Sequence, residues 1–196
     1  MAISAAEVKK LREMTGQSMM ECKKALEESG GDHEKAVQIL RKKGLTMAEK
    51  RAGRSTANGV VLSYIHHTKR VGVMCQVNCE TDFVARNHDF QHFVTELCKH
   101  VCAFSPLCVS RDQVSEKLIQ MEREIAHEQV KDKPAQAQEK IIEGKLNKFF
   151  AEKVLLEQPW IHDDKTTVGD VLKQLIGKIA ENIQIVRFAR FDIADQ

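Results

Sequence analysis

A chain of 196 residues, 42% hydrophobic and 30% charged, has room for one ordinary domain and a small module. No apolar run approaches the roughly 18 residues of a membrane span, and "MAISAAEVKK" has no apolar signal core. The expected compartment is therefore the cytoplasm, where Cys22, Cys75, Cys79, Cys98, Cys102 and Cys108 stay reduced.

The net charge of +2 divides into +4 over residues 1–55 and −2 over the rest. That asymmetry favours an acidic partner surface over nucleic acid. Within residues 1–45, Ser4 with Glu7 and Ser18 with Glu21 are spaced as capping boxes, and Asp32 can cap a third helix that ends at Gly44. Val8 and Leu11, then Cys22, Ala25 and Leu26, then Ala36, Val37, Ile39 and Leu40 recur at helical spacing. Three short helices around one small core are expected. Residues 46–58, with Gly53 and several small polar residues, read as a linker that can begin helical and has become a tether by Gly53.

From Gly59 the apolar period shortens to two. "GVVLSYIHH" and "RVGVMCQVNC" predict an antiparallel hairpin turning near Thr68 and Lys69, with Val71, Val73, Cys75, Val77 and Cys79 on one face. Helices are expected from about His88 to Ala103, after Ser110 to about Val130, from Pro134 to about Leu156, and from Val168 to Ala180. "QPWIHDDKTT" reads as a loop. The closing strand "NIQIVRFARFDI" is apolar on both faces, Ile183 and Ile185 on one and Val186 and Phe188 on the other. Such a strand needs cover on both sides, the second of which a partner subunit can supply. The expected class is α+β, with residues 59–196 as a core and dimerisation domain.

Few side chains offer chemistry. His88 and His92 sit one helical turn apart without an HExxH pattern, and their neighbours mark a solvent face. Cys75 and Cys79 lie about 13 Å apart on a strand, too far to share one zinc. Cys98 and Cys102 continue an apolar stripe and read as small hydrophobes. There is no Walker loop, GxGxxG turn or GxSxG elbow, so neither a cofactor, a metal nor enzymatic activity is expected. Two features suggest recognition instead. Met19 and Met20 open a helix beside "TGQS", and Phe83 stands among charges in "VNCETDFVARN". Pattern alone leans towards a core aromatic packed under the hairpin, with an outward contact as the alternative for Phe83.

Together, "LREMTGQSMMECKKAL", "VNCETDFVARN", "IIEGKLNKFFAEKVLLEQPWI" and "TVGDVL" resemble the elongation factor Ts family, the guanine-nucleotide exchange factors of elongation factor Tu. The resemblance touches the chain throughout except about residues 89–131. It implies that the three-helix segment is similar to ubiquitin-associated domains and docks on the partner's nucleotide-binding domain through Arg12, Met19, Met20 and Lys23. It further implies that Thr81, Asp82, Phe83 and Val84 disturb the partner's magnesium site and speed GDP release. Longer members of the family carry a second core subdomain. The single "TDFV" core here is similar to the short members, which work as homodimers. The competing reading is a ubiquitin-associated-type binding module with an unrelated partner, which leaves residues 59–196 without a role.

Overall fold

The computed structural model describes residues 3–194, without the side chains of residues 135 and 136. Helices α1 (Ala5–Thr15), α2 (Met19–Glu28) and α3 (His33–Arg51) come first. Ser4 and Glu7 form the full capping box. Ser18 accepts from the Glu21 N–H at 3.2 Å, while the Glu21 carboxylate turns to Lys24 at 3.7 Å. Val8, Leu11, Cys22, Ala25, Leu26, Ala36 and Leu40 close a small core between the three helices.

The third helix does not stop at Gly44. It runs seven residues further, to Arg51. Gly44 is buried at a crossing with α8 (Val168–Ile179), where a Cβ added to Gly177 would lie 2.8 Å from Gly44 Cα. A glycine that reads locally as a stop is here a site of close backbone approach. Arg51 donates across the same crossing to Ile176 O at 3.4 Å. The presumed linker is thus helical over its first part, and only residues 52–57 lie between α3 and the first strand.

Strands β1 (Asn58–Ile65), β2 (Val71–Cys79) and β5 (Ile183–Asp192) form an antiparallel sheet in the order β1-β2-β5. Val73, Cys75, Val77 and Cys79 point into the main core, as their alternation predicts. Their partners on β5 are Arg190, Phe188, Ile185 and Ile183, so all four share that face. A bulge opposite Gln76 and Val77 takes up Val186 and brings Ile185 and Phe188 into phase. Ile183, Ile185 and Phe188 therefore share the inner face through a register shift, against the expected split between Ile185 and Phe188, while Phe191 stands exposed on the outer face.

Helix α5 (His88–Phe104) lies on this sheet with Phe90, Phe93, Val94, Leu97, Cys98 and Val101 buried. Ser110 precedes a single 3-10 turn, and the next helix, α6 (Glu116–Glu128), begins at Ser115, which accepts from Leu118 N–H. Helix α7 (Ala135–Lys153) packs on α6 around Ala126, Val130, Ile142, Leu146 and Phe150. It ends before Leu156 because the chain pairs with residues 108–109 instead: Leu155 N–H donates to Cys108 O and Leu156 N–H to Val109 O. The expected loop at 158–167 holds a small hairpin, β3 (Pro159–Trp160) with β4 (Asp163–Thr167). Asp163 organises it by accepting from Lys165 N–H and the Thr166 hydroxyl. No helix among the described residues is long and apolar enough to cross a membrane.

Candidate functional site

The turn after β2 is shaped by the way the ladder ends. Cys79 pairs with Ile183 in the last rung, and its thiol donates to Thr81 O at 3.1 Å. Burial, with the Glu181 charge second, pushes that thiol up to about 11. Thr81 then caps a four-residue helix, α4 (Asp82–Ala85), its hydroxyl oxygen accepting from Val84 N–H at 3.3 Å.

Within α4 the side chains divide. Val84 is buried and joins the main core, and Thr81 is partly buried against Glu181. Asp82 is exposed and pairs with Arg86 at 3.2 Å. Phe83 is 80% exposed, the most exposed large apolar side chain among the described residues. Leaving a phenylalanine in water forgoes about 1.5–3 kcal/mol of burial.

Arg12 lies on α1, and Met19, Met20 and Lys23 lie on α2, the helix packed beside it through the small core. Arg12 is exposed, Met19 and Met20 are 41% and 63% exposed, and Lys23 pairs with Glu27 at 3.9 Å. Methionine is unbranched and polarizable, and it adapts to irregular surfaces. Met14, also exposed near the end of α1, extends this apolar edge. It stands inside the quoted motif and was not singled out. The two groups, α1–α2 and the α4 turn, are on separate elements. They are linked through α3, which packs on α8, and through the chain after α8, which grips the turn.

Between the N-terminal helices on one side and α5, α8 and the β3–β4 hairpin on the other lies an open cleft of about 380 Å³, with Leu40, Phe93 and Trp160 among its apolar walls and Arg41, Asp89 and Lys178 among its charged ones. Glu96 near it accepts from Lys99 at 2.7 Å and meets His162 Nε2 at 2.6 Å. The Lys99 hydrogen bond, ahead of that from His162, holds the Glu96 carboxyl below its ordinary value.

His88 and His92 are exposed, with rings stacked 6.1 Å apart. The six cysteines are free thiols, Cys108 half-buried and the other five buried. Cys75 and Cys98 meet inside the core, and their mutual hydrogen bond, with burial second, raises the Cys75 thiol. Among the described residues no three His, Cys, Asp or Glu side chains converge as metal ligands.

An α+β protein with an apolar turn and a methionine-edged pair of helices turned outward has the build of a protein that meets other macromolecules. The comparisons with known proteins supply the particular family. The family model described as Elongation factor TS matches residues 3–195. The chain is 51% identical over 195 residues to the protein named Elongation factor Ts of Thermotoga petrophila, covering all of this chain and 98% of that protein. It is 51% identical over 197 residues to that of Fervidobacterium nodosum, covering both chains completely. The counterpart from Geobacter sp. (strain M21) is 49% identical over 197 residues, covering all of this chain and 91% of that one. The chain belongs to the elongation factor Ts family, and its role is in translation elongation.

Proposed function

We propose that this chain binds elongation factor Tu in its GDP state and accelerates GDP release. The single observation that carries the reading is the exposure of Phe83 on a turn otherwise anchored to the core. The helices bearing Arg12, Met19, Met20 and Lys23 act as a ubiquitin-associated-like docking module on the partner's nucleotide-binding domain. Phe83, with Asp82 beside it, enters next to the nucleotide and displaces the groups that hold magnesium. Thr81 and Val84 serve the same segment from the inside, as cap and anchor.

The thermodynamics follow from linkage. A factor that bound both partner states equally would shift nothing. It must bind the nucleotide-free state better, and GDP then weakens the factor's binding by the same ratio. Burying Phe83 only in the nucleotide-free complex supplies about 1.5–3 kcal/mol of that difference, one to two powers of ten. Magnesium neutralises charge between the phosphates, so moving its ligands loosens GDP without touching the base.

The working form is a homodimer in the cytoplasm. The outer face of the sheet supports this, because Val61, Ile65, Met74 and Phe191 stand exposed there on adjacent rungs of three strands. A second copy packed on that face about a two-fold axis would cover the same residues on both chains.

Stopped-flow release of fluorescent GDP from elongation factor Tu tests the proposal. The chain is expected to accelerate release, and Phe83→Ala to slow the accelerated rate by about 10- to 100-fold. An unchanged release rate with the unmodified chain overturns it.

A further inference from the structure

Beyond the last rung of the sheet, β2 and β5 no longer exchange backbone hydrogen bonds, yet their continuations remain joined by two carboxylates. Glu80 accepts from Asn182 N–H at 2.6 Å. Glu181 accepts twice from one residue, from Thr81 N–H at 3.0 Å and from the Thr81 hydroxyl at 2.7 Å. Each side chain supplies the acceptor that a ladder carbonyl would have offered. Asn182 in turn donates to Arg54 O at 2.8 Å, which ties the segment after α3 to the same junction.

The Thr81 hydroxyl thereby has a fixed orientation. Its single proton goes to Glu181, which leaves a lone pair for Val84 N–H. A helix of four residues is too short to hold itself by propagation, so the shape of α4 depends on this cap. Hydrogen bonds to an ionised acceptor are also the stronger kind. Glu181 reaches its position because Ala180 adopts a left-handed conformation, φ 68°, at the end of α8. That is a backbone conformation usually left to glycine.

We propose that Glu181 is a positioning residue for exchange: through Thr81 it holds α4 so that Phe83 stands clear of the protein at a fixed angle. This rests on the exchange function proposed above. Glu181 is separated from Phe83 by almost half the chain, and it carries the position of α8, and with it of α3, into the turn. A wedge displaced by about 1 Å loses reactivity out of proportion to the affinity it loses.

Release of fluorescent GDP is measured at increasing concentrations of each variant. Glu181→Ala is expected to lower the saturating release rate by about 10-fold and to leave the half-saturating concentration within about 2-fold, because docking through α1 and α2 is intact. Glu181→Gln, which keeps one acceptor oxygen, should fall between. Thr81→Ser should resemble the parent, and Thr81→Val should resemble Glu181→Ala. In a Phe83→Ala background Glu181→Ala should add no further loss, since the two changes act through one contact. A parental saturating rate in Glu181→Ala, or a full additional loss in the Phe83→Ala background, overturns the inference.

Parental rates in Phe83→Ala itself would instead overturn the role given to Phe83 in exchange, and no acceleration by the unmodified chain would overturn the exchange reading. The clasp is then judged without the partner, by hydrogen exchange at the amides of Val84, Ala85 and Arg86. These must exchange faster in Glu181→Ala than in the parent, and unchanged protection overturns the clasp. Should Glu181→Ala fail to fold, Glu181→Gln and Thr81→Val provide the same comparisons.

Discussion

Phe83 and Phe90 lie seven residues apart, a spacing that would put both on one face of an unbroken helix. One is 80% exposed and the other is fully buried. The difference comes from the joint between them. Asn87 stops the first turn and starts the second, its Oδ1 accepting from Asp89 N–H at 2.8 Å and from Phe90 N–H at 3.2 Å. That cap resets the helical phase, so α5 turns Phe90 into the sheet while α4 turns Val84 in and Phe83 out. Identical side chains a few residues apart reach opposite environments because capping, and not hydrophobicity, decides the facing of short helices.

The largest expected effect is at Phe90. Replacing it with alanine removes a ring from the middle of the main core and should cost about 3–5 kcal/mol, read as a lower midpoint in urea denaturation. A loss below about 1 kcal/mol would mean that α5 can collapse around the gap, and the contrast with Phe83 would weaken.

A smaller effect concerns charge on the inner side of α5. His100 is fully buried between Phe104 and Trp160, with Nε2 meeting Gln158 Oε1 at 3.0 Å. Burial lowers its pKa, ahead of the Gln158 hydrogen bond, which raises it, and of the His162 charge, which lowers it. The unfolded chain takes up a proton near pH 6.5 that the native state refuses. Stability should therefore fall as pH drops from about 6.5 towards the depressed native value, and rise again on return to neutrality. Denaturation of the parent and of His100→Phe across that window checks this, the variant showing the shallower dependence.

The smallest effect on stability is expected at Phe83. Phe83→Ala should leave the denaturation midpoint within about 0.5 kcal/mol of the parent, in contrast to its effect on nucleotide release. A collapse of stability there would return Phe83 to the core and erase the distinction drawn above.

Much of this architecture was readable from local pattern. The caps at Ser4, Ser18 and Asp32, the hairpin with its alternating inner face, and the stripe of α5 each depend on residues within a few positions of one another. What escaped depends on distant partners. Gly44 resembles a helix stop until Gly177, far along the chain, is seen packed on its backbone, where a side chain on Gly177 would have no room. The bulge at Val186 is a property of pairing with β2, so β5 alone sets Phe188 opposite Ile185 where the pair puts both on the inner face. "DDKTT" is too polar to advertise a strand, and its hairpin is held by Asp163. At the candidate site the motif directed attention to Phe83, but Glu181 gave no signal, because a glutamate after a helix is ordinarily a solvated charge.

The continuity of α3 has a consequence for how this chain can vary in length. Its front half contributes Ala36 and Leu40 to the small core, and its rear half contributes Ala48 to the main one. Each residue in a helix advances about 1.5 Å and turns about 100°. One residue inserted near Leu45 would rotate either half away from its own core, and no local bend restores both. Segment 33–51 is therefore intolerant of insertion and deletion even where its individual side chains are replaceable, whereas the exposed turn at Thr68 and Lys69 can lengthen.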